Sequence, residues 1–397
     1  MKDQHLHEGR TSLASISRRA EATPRSGIRV IYDMVRTTPD VVSFAIGEPD
    51  FGTPKHIQES AKAAIEQGYT RYTPNAGFDD LREAIKEKLQ RENDLDAETN
   101  EIVVTPGGQG ALTLVMMATI DPGDEVLVPD PGYASYKAQV IMCGGRPISV
   151  PVHENDGFRM LPDNLTNLIT SRTKMIIFCN PSNPTGAVLD ENDIRALAEV
   201  ATDNGLITVS DEAYEKFLYD GSKHFSMGAI PETRDNTISV FSFSKTYGMT
   251  GWRVGYIVAN QALVAQMVKL QEHVSAHPSS ISQKAALAAY RGPQDSIARN
   301  LEEYTARRNT MVSGLNRIQG VSCVQPRGAF YAFANFKSFG KPSMQLATDL
   351  IKKARVATVP GTAFGDYGEG YLRFTYACPI KNITEGLTRI EAASKNL

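Results

Sequence analysis

An alternation of short β-branched runs with longer helical patterns, between about residues 100 and 260, most constrains how this chain can fold. Runs rich in Val and Ile, which favour strands, stand at residues 101–105, 125–128, 174–179, 206–210, 237–243 and 254–259. Helical patterns lie between several of them, at residues 110–120, 133–142 and 191–204. This order predicts βαβ units and a mainly parallel sheet covered by helices. The site of such a fold is expected beyond the carboxyl ends of its strands.

After residue 260 the pattern predicts a smaller α+β domain. Helices are expected at residues 261–273, 282–291, 294–319, 343–354 and 383–394, and strands at 329–335 and 372–377. A chain of 397 residues is long enough for more than one domain. We expect an N-terminal arm that is part of the small domain (residues 1–46), a large cofactor-binding domain (47–292) and a small C-terminal domain (293–397).

Charge and composition exclude several classes of protein. The 42 Lys and Arg against 45 Asp and Glu leave a net charge of −3, which favours neither nucleic acid nor an anionic membrane as a partner. The longest apolar stretch, residues 111–120, is about half of the ~20 residues that span a bilayer. The four cysteines have no metal-ligand or CxxC spacing, which indicates reduced thiols in a cytoplasmic protein and no metal site.

The segment SFSKTYGMTGWRVGY at residues 242–256 carries the clearest chemical signal. Lys245 follows a strand whose end should point into the site, where an amine is costly to bury. A desolvated lysine has a lowered pKa and becomes a nucleophile that can form a Schiff base with a carbonyl. Ser242, Ser244 and Arg253 offer hydroxyl and guanidinium donors for one phosphate group. A lysine with phosphate ligands is what pyridoxal phosphate needs.

Three further strand ends fit that cofactor. TPGGQGA at residues 105–111 joins a strand to a helix, whose free N–H groups can hold an anion. SDEAY at residues 210–214 ends a strand, so that Asp211 could pair with a pyridine nitrogen and Tyr214 could reach a phenolic oxygen. NPSNPTG at residues 180–186 is a rigid turn. Each also has a plain structural explanation: a glycine turn, a helix N-cap at Asp211, and turn chemistry.

Together these segments resemble the class I/II aminotransferases of PLP fold type I, including the prokaryotic aspartate and aromatic types. The resemblance covers nearly the whole chain after about residue 30. Its other motifs are FAIGEPDF at residues 44–51, YTPNAG at 72–77, GAFY at 328–331, PGTAFG at 360–365 and LRF at 372–374. It implies an α/β fold with a large domain on a mainly parallel sheet covered by helices, and a smaller α+β domain.

The resemblance implies a role at the cofactor for each matching residue. Lys245 would hold pyridoxal 5'-phosphate as a Schiff base and, once released, move a proton between the substrate α-carbon and the cofactor. Asp211 would keep the pyridine nitrogen protonated. The remaining contacts would be Asn183 and Tyr214 to the phenolic oxygen, Gly108, Gln109, Ser242 and Arg253 to the phosphate, and Tyr133 against the ring.

The resemblance also implies how substrate and a second subunit are held. Arg373 would bind the substrate α-carboxylate through two parallel hydrogen bonds, a geometry that lysine cannot supply. Gly47 and Asn183 would lie beside that carboxylate. Tyr72 would reach the phosphate of the neighbouring subunit, which implies a homodimer with shared active sites.

The expected activity is transfer of the amino group of an L-α-amino acid to an α-keto acid, with 2-oxoglutarate as acceptor, by a ping-pong mechanism in amino-acid metabolism. An alternative on the same fold is a β-lyase or an enzyme like 1-aminocyclopropane-1-carboxylate synthase. These enzymes share Lys245, Asp211 and Arg373, so the motifs separate them poorly.

Four residues bear on substrate choice. Gln109 stands where some prokaryotic aspartate aminotransferases carry a lysine. His277 is either a contact for the substrate side chain or a structural residue, and base rates favour the structural role. Arg36 is either a surface residue or a cation over the site. Phe330 is expected to line the substrate side of the pocket.

Overall fold

The computed structural model describes residues 16–395 and residue 397. Its strands are β1 (Val42–Ser43), β2 (Ile102–Thr105), β3 (Glu125–Asp130), β4 (Arg146–Pro151), β5 (Thr173–Cys179), β6 (Ile207–Asp211), β7 (Thr237–Ser242), β8 (Gly255–Val258), β9 (Ser322–Cys323), β10 (Tyr331–Asn335), β11 (Val356–Ala357), β12 (Val359–Pro360) and β13 (Tyr371–Thr375). Its α-helices are α1 (Arg18–Ala22), α2 (Gly27–Thr37), α3 (Lys55–Glu66), α4 (Asp79–Asn93), α5 (Gly107–Thr119), α6 (Ser135–Met142), α7 (Pro162–Leu165), α8 (Glu191–Asp203), α9 (Phe243–Thr246), α10 (Gln261–Val274), α11 (Ser280–Arg291), α12 (Asp295–Leu315), α13 (Ser343–Asp349) and α14 (Ile380–Ser394).

The central sheet has seven strands in the spatial order β2-β8-β7-β6-β5-β3-β4. Its neighbouring strands run parallel except at β8, which is antiparallel to both β2 and β7. The predicted mainly parallel sheet is therefore confirmed. Because β8 runs against its neighbours, its first residue, Gly255, pairs with Thr105 and Ser242, the last residues of β2 and β7.

Apolar side chains cover both faces of the central sheet, which explains why its strands read as continuous apolar runs. Val103 of β2 belongs to a cluster that includes residues of α5 and α8. Its neighbours Ile102 and Val104 belong to a second cluster, with residues of α3, α4 and α11. Successive strand residues point to opposite faces, so helices lie on both sides of the sheet, as predicted.

A smaller antiparallel sheet, in the order β12-β13-β10-β9, forms in the C-terminal part of the chain. The short strand β1 pairs in parallel with β11, with Val42 opposite Val356. The chain just before Gly47 thus pairs with the C-terminal part, as the sequence suggested. Residues 1–15 of the predicted N-terminal arm lie outside the described residues, and the domain boundaries at 46/47 and 292/293 stay predictions.

Strand β4 and helices α3 and α4 are absent from the sequence-based prediction. β4 contains Pro147 and Pro151 and lies at the edge of the sheet, where a missing N–H is tolerated. Its two prolines and Arg146 hide the strand pattern. The long helix predicted at residues 294–319 ends earlier, at Leu315 of α12.

The longest apolar stretch lies mostly in α5, where Leu112, Val115 and Met116 are buried in the core. Within the described part of the chain, no helix is both long enough and apolar enough to cross a membrane.

A buried carboxylate joins the central sheet to the C-terminal part. Asp130, at the end of β3, is fully buried and accepts a hydrogen bond from Lys137 Nζ at 2.7 Å. It also accepts from the backbone N–H groups of Asp366 at 3.2 Å and Tyr367 at 3.0 Å. Gly365 permits this approach, because a Cβ there would lie 2.0 Å from Asp130 Oδ1. The loop after β12 is therefore fixed against the end of β3.

We expect Asp130→Asn to lower the free energy of unfolding by about 2–3 kcal/mol, because an amide accepts more weakly from the ammonium and its single oxygen cannot satisfy all four donors, the fourth being Ser149 Oγ at 2.9 Å. Urea unfolding followed by circular dichroism measures the loss. Asp366→Asn, which changes an exposed side chain of the same loop, is the matched control and should change stability by less than about 0.5 kcal/mol. Equal stability of Asp130→Asn and wild type would contradict this role.

Candidate active site

A pocket lies at the carboxyl edge of the central sheet. The last residues of β5, β6 and β7, which are Cys179, Asp211 and Ser242, all line it. The site residues predicted from the sequence that line the pocket are Gly47, Gly108, Gln109, Tyr133, Asn183, Asp211, Tyr214, Ser242, Lys245, Arg253 and Arg373. The fold thus brings together every predicted site residue except Tyr72.

Lys245 lies in the helical turn α9, directly after β7. Its Nζ donates a hydrogen bond to Gly47 O at 2.7 Å. Burial lowers the pKa of Lys245 to about 8; the carboxylate of Glu48 opposes this shift, and Arg373 and Arg253 add to it. A substantial fraction of the amine is therefore neutral near pH 8, and the neutral amine is the nucleophilic form.

Asp211 ends β6 and is buried beside two hydrogen-bond donors. Tyr136 Oη donates to Asp211 Oδ2 at 2.6 Å, and the N–H of Ala213 donates to Oδ1 at 3.2 Å. Burial raises the pKa of Asp211 to about 6, although the hydrogen bond from Tyr136 opposes the shift. A carboxylate that is costly to ionise gains from a cationic partner, so this position suits a protonated ring nitrogen.

Arg373 enters the pocket from β13 of the smaller sheet. Its guanidinium donates to Asn183 Oδ1 at 3.1 Å and to Ala45 O. It lies over the rings of Tyr331 and Phe364, at 4.6 and 4.8 Å from their centroids. The residue is 1% exposed, and its Nε has no hydrogen-bond partner among the described residues. Because a buried, incompletely paired guanidinium is costly, this position is suited to an anion.

A second corner of the pocket, where α5 begins, is built to hold an anion. Gly107 has φ +74°, and a Cβ at this residue would lie 2.7 Å from Arg253 Nη2. Arg253 precedes β8 in the left-handed conformation, with φ 54°. Gly108, Gln109 and Ser242 complete the corner. Backbone N–H groups at a helix start, a hydroxyl and a guanidinium are the donors that bind a phosphate group.

Tyrosines form much of the remaining wall. The hydroxyls of Tyr214 and Tyr331 lie 2.8 Å apart. Burial raises the pKa of Tyr331 to about 12 and that of Tyr214 well above its usual value, so both phenols stay protonated. Tyr133 donates to Gln109 Oε1 at 3.2 Å. A glycine is required at residue 47, because a Cβ at Gly47 would lie 2.0 Å from the Tyr331 hydroxyl oxygen.

Tyr72, His277 and Arg36 do not line the pocket. Tyr72 is 89% exposed, and its ring meets the ring of His277 edge-on at a centroid distance of 5.6 Å. His277 Nδ1 is hydrogen-bonded to Pro278 O at 2.6 Å. Arg36 is exposed in the last turn of α2. Within one subunit, none of the three faces a bound substrate.

The expectation that Phe330 lines the pocket is wrong. Phe330 is fully buried and packs against the rings of Tyr214 and Tyr304. The next residue, Tyr331, lines the pocket instead. Phe330 lies in the turn before β10, whereas Tyr331 is the first residue of that strand, and the turn directs Phe330 into the core.

Sequence reasoning also missed Tyr136, which donates to Asp211 from behind the pocket, and Cys179, Ile28 and Ile46, which line the pocket wall. Nothing in the local sequence marks Tyr136, because its contact with Asp211 joins α6 to the end of β6. Cys179 could have been found from its place at the end of β5. No local signal marks Ile28, which reaches the pocket from α2.

A family model described as "Aminotransferase class I and II" matches residues 39–390. The chain therefore belongs to the class I and II aminotransferase family, and the expected fold and family are confirmed.

Two curated relatives illustrate the similarity. The chain is 40% identical over 380 residues to an aspartate aminotransferase of Pyrococcus abyssi, covering 95% of this chain and 97% of the relative. It is 38% identical over 384 residues to aromatic-amino-acid aminotransferase 2 of Thermococcus litoralis, covering 96% and 98%.

Two solved aminotransferase structures have the same fold as this chain. The aspartate aminotransferase from Rhizobium meliloti has a TM-score of 0.93 and 36% identity, with 96% of this chain and 99% of that chain covered. An aromatic aminotransferase from Pyrococcus horikoshii OT3 has a TM-score of 0.88 and 40% identity, with 92% and 99% covered.

We expect Glu48→Gln to lower the pKa of Lys245 further below about 8, because removing a nearby negative charge disfavours the ammonium. The measurement is the pH dependence of the acetylation rate of Lys245, followed by mass spectrometry without added cofactor. Glu66→Gln, at the exposed end of α3, is the control and should leave the profile of wild type. A profile displaced to higher pH in Glu48→Gln would refute this electrostatic role.

Proposed function

We propose that this aminotransferase binds pyridoxal 5'-phosphate in the pocket at the carboxyl edge of the central sheet. The observation that carries the proposal is the meeting of Lys245, Asp211 and Arg373 in one desolvated pocket. The donor corner at Gly107 and the incompletely paired Arg373 suit two anions, a phosphate and a carboxylate. When bound, the cofactor supplies an aldehyde that condenses with an amine and a ring that takes up the electron pair left on the substrate α-carbon.

Different residues of the pocket would hold the different parts of the cofactor. Asp211 would pair with the ring nitrogen, and Tyr136 orients the carboxylate for that contact. Tyr133 would pack against the ring. The phosphate would be held by Gly108, Gln109, Ser242 and Arg253, and the phenolic oxygen by Asn183 and Tyr214.

Lys245 is the acid–base residue in this proposal. Its neutral amine would take the proton from the substrate α-carbon and then deliver it to the cofactor. A positioned acid–base group accelerates such steps by about 10²–10⁴-fold. The pKa of about 8 favours this role, because a base near the working pH is partly deprotonated and still basic.

Arg373 would orient the substrate through its α-carboxylate. The guanidinium lies over the rings of Tyr331 and Phe364, and its contacts with Asn183 and Ala45 use two of its five N–H donors. The other donors could form two parallel hydrogen bonds with a carboxylate. Gly47 and Asn183 lie beside this position.

We infer that the amino group moves from an L-α-amino acid to an α-keto acid, with 2-oxoglutarate as acceptor, in a ping-pong reaction. Relatives named for aspartate and for aromatic amino acids support acidic and aromatic amino acids as the donors to test first. The β-lyase and cyclopropane-carboxylate synthase alternatives are not favoured, because these relatives are named for amino transfer.

We also propose a cytoplasmic homodimer with shared sites. Tyr72 is almost fully exposed and Arg253 is exposed at the pocket mouth, so a second chain could bring Tyr72 to the phosphate corner. Four unpaired cysteines are typical of a reducing compartment. Residues 47–292 would form the large domain and residues 293–397 the small C-terminal domain. Residues 1–46 would form the N-terminal arm and part of the small domain.

A half-reaction screen tests the proposed function. The cofactor-loaded protein is mixed with each amino acid singly, and keto-acid release and loss of the cofactor's visible absorbance are followed. We expect conversion by one or a few donors and reversal by 2-oxoglutarate. Lys245→Ala should slow the conversion by at least about 10²–10⁴-fold, and Arg373→Lys should mainly raise KM. Release of ammonia together with the keto acid would instead indicate elimination.

Hybrid dimers test the shared site. We expect Lys245→Ala and Tyr72→Ala homodimers to be impaired, whereas a purified hybrid with one chain of each should regain about half of the wild-type activity, because one of its two symmetric sites is intact. If Tyr72 acted within its own subunit, neither site of the hybrid would be intact and activity would not return. Sedimentation of all variants controls for loss of the dimer.

A further inference from the structure

A buried network of polar and charged side chains lies directly behind Asp211, and the proposed mechanism does not use it. We call it the Glu212 network; its members are Glu212, Glu215, His224, Ser226, Lys88 and Asn93. Glu212 is 1% exposed. Its Oε2 lies 2.7 Å from His224 Nε2 and accepts a hydrogen bond from Ser226 Oγ. Ser226 Oγ in turn accepts from Asn93 Nδ2 at 2.9 Å.

Glu215 forms the second half of the network. It accepts hydrogen bonds from Lys88 Nζ and from Asn93 Nδ2, the latter at 2.9 Å. Burial raises the pKa of Glu215, but Lys88, Lys216 and His224 lower it more, to about 2. Burial also lowers the pKa of Lys88, against the effect of Glu215; since that carboxylate is ionised and in direct contact, we treat the two as an ion pair.

The network is not assigned to a metal ion. Ligand atoms of Glu212, Glu215 and His224 lie within 4.8 Å of one another, a spacing that one ion could bridge. The ammonium of Lys88 already contacts Glu215, and a second cation beside it would be repelled.

Residues of the network alternate along the chain with residues of the pocket. Asp211 and Tyr214 line the pocket, whereas Glu212 and Glu215 belong to the network behind it. The N–H of Glu212 donates to Val240 O at 2.8 Å, and the N–H of Glu215 donates to Glu212 O at 3.1 Å. The turn that presents Asp211 and Tyr214 is therefore anchored by the two carboxylates between and after them.

The two carboxylates differ in the charge that they present to Asp211. Glu215 is paired with the ammonium of Lys88, whereas Glu212 contacts a hydroxyl and the imidazole of His224, which offsets the charge of Glu212 only when it is protonated, and Glu212 Oε1 has no hydrogen-bond partner among the described residues. Glu212 adds to the elevation of the Asp211 pKa, which burial dominates. The other titratable groups around Asp211 are Tyr133 and Tyr136 next to and in α6, Cys179 at the end of β5, and Lys245 in α9.

We propose that Glu212 is a positioning residue for amino transfer: it anchors the turn that carries Asp211 and Tyr214, and its negative charge adds to that of Asp211 in favouring a positive ring nitrogen. This inference rests on the proposed pairing of Asp211 with the cofactor. The chain itself supplies a matched control, since Glu215 anchors the same turn but has its charge balanced by Lys88.

The decisive measurement is made on the cofactor-free protein. Carboxyl ¹³C NMR of the Asp-labelled protein, assigned with Asp211→Asn, reports the pKa of Asp211. We expect Glu212→Gln to lower this pKa by about 0.5, a threefold change in proton affinity, because a neighbouring like charge is removed. Glu215→Gln should leave it unchanged, because the buried Lys88 loses its proton once its partner is neutral, so that the pair stays without net charge. Both variants lose stability to urea.

Two further measurements separate the effect of the Glu212 charge from its structural effect. Glu212→Asp keeps the charge and should keep the pKa of Asp211 raised, so the proposal stays testable if Glu212→Gln does not fold. In the loaded enzyme, Glu212→Gln should lower kcat about threefold and leave KM, which Arg373 sets, unchanged.

Three results would overturn the proposal: an unchanged pKa of Asp211 in Glu212→Gln, an equal fall in Glu215→Gln, or a fall in Glu212→Asp. Failure of the proposed function is a separate result, because it would appear as absent transamination in wild type while the cofactor-free measurement stays interpretable.

Discussion

Exclusion of water from the carboxyl edge of the central sheet determines the state of each charged group in the pocket. The same burial lowers the pKa of Lys245, raises that of Asp211 and leaves the Arg373 guanidinium incompletely paired. In water the first two would be a fully charged ammonium and carboxylate at neutral pH. The pocket therefore holds groups whose burial is costly until ligands of matching charge arrive. Binding of a phosphate, a ring cation and a carboxylate would relieve that cost.

The central sheet and the smaller sheet both contribute charged residues to the pocket. Lys245 and Asp211 come from the central sheet, whereas Arg373 comes from β13 in the smaller sheet. Asp130 fixes the loop that carries Phe364 against the end of β3, and Phe364 packs on Arg373. The Arg373 guanidinium is thus held by a chain of contacts that begins in the large sheet.

The sequence was sufficient for the sheet and for most of the pocket, because both depend on local patterns. Apolar runs separated by helical patterns predict β2, β3 and β5–β8, and the side chains just beyond such strands converge at one edge. The features that could not be predicted from the sequence depend on tertiary packing. The prolines of β4 are tolerated only because that strand lies at an edge, and whether Phe330 or Tyr331 faces the site depends on the turn that precedes β10. Tyr136 and the Glu212 network involve partners from distant elements, and neighbouring letters do not reveal them.

The reversed direction of β8 has a consequence for how this protein can vary. Because β8 returns antiparallel beside β7, residues 242–253 leave the sheet and come back at the same edge, so Ser242, Lys245 and Arg253 belong to one short excursion of the chain. Arg373 reaches the pocket from more than a hundred residues away. Three residues of the proposed cofactor site therefore lie within one short segment, whereas the residue proposed to bind the substrate carboxylate is remote from it in sequence. Substitutions in the C-terminal part can therefore change the surroundings of Arg373 while residues 242–253 stay intact, which makes these two contributions to the pocket separable in recombination between related enzymes.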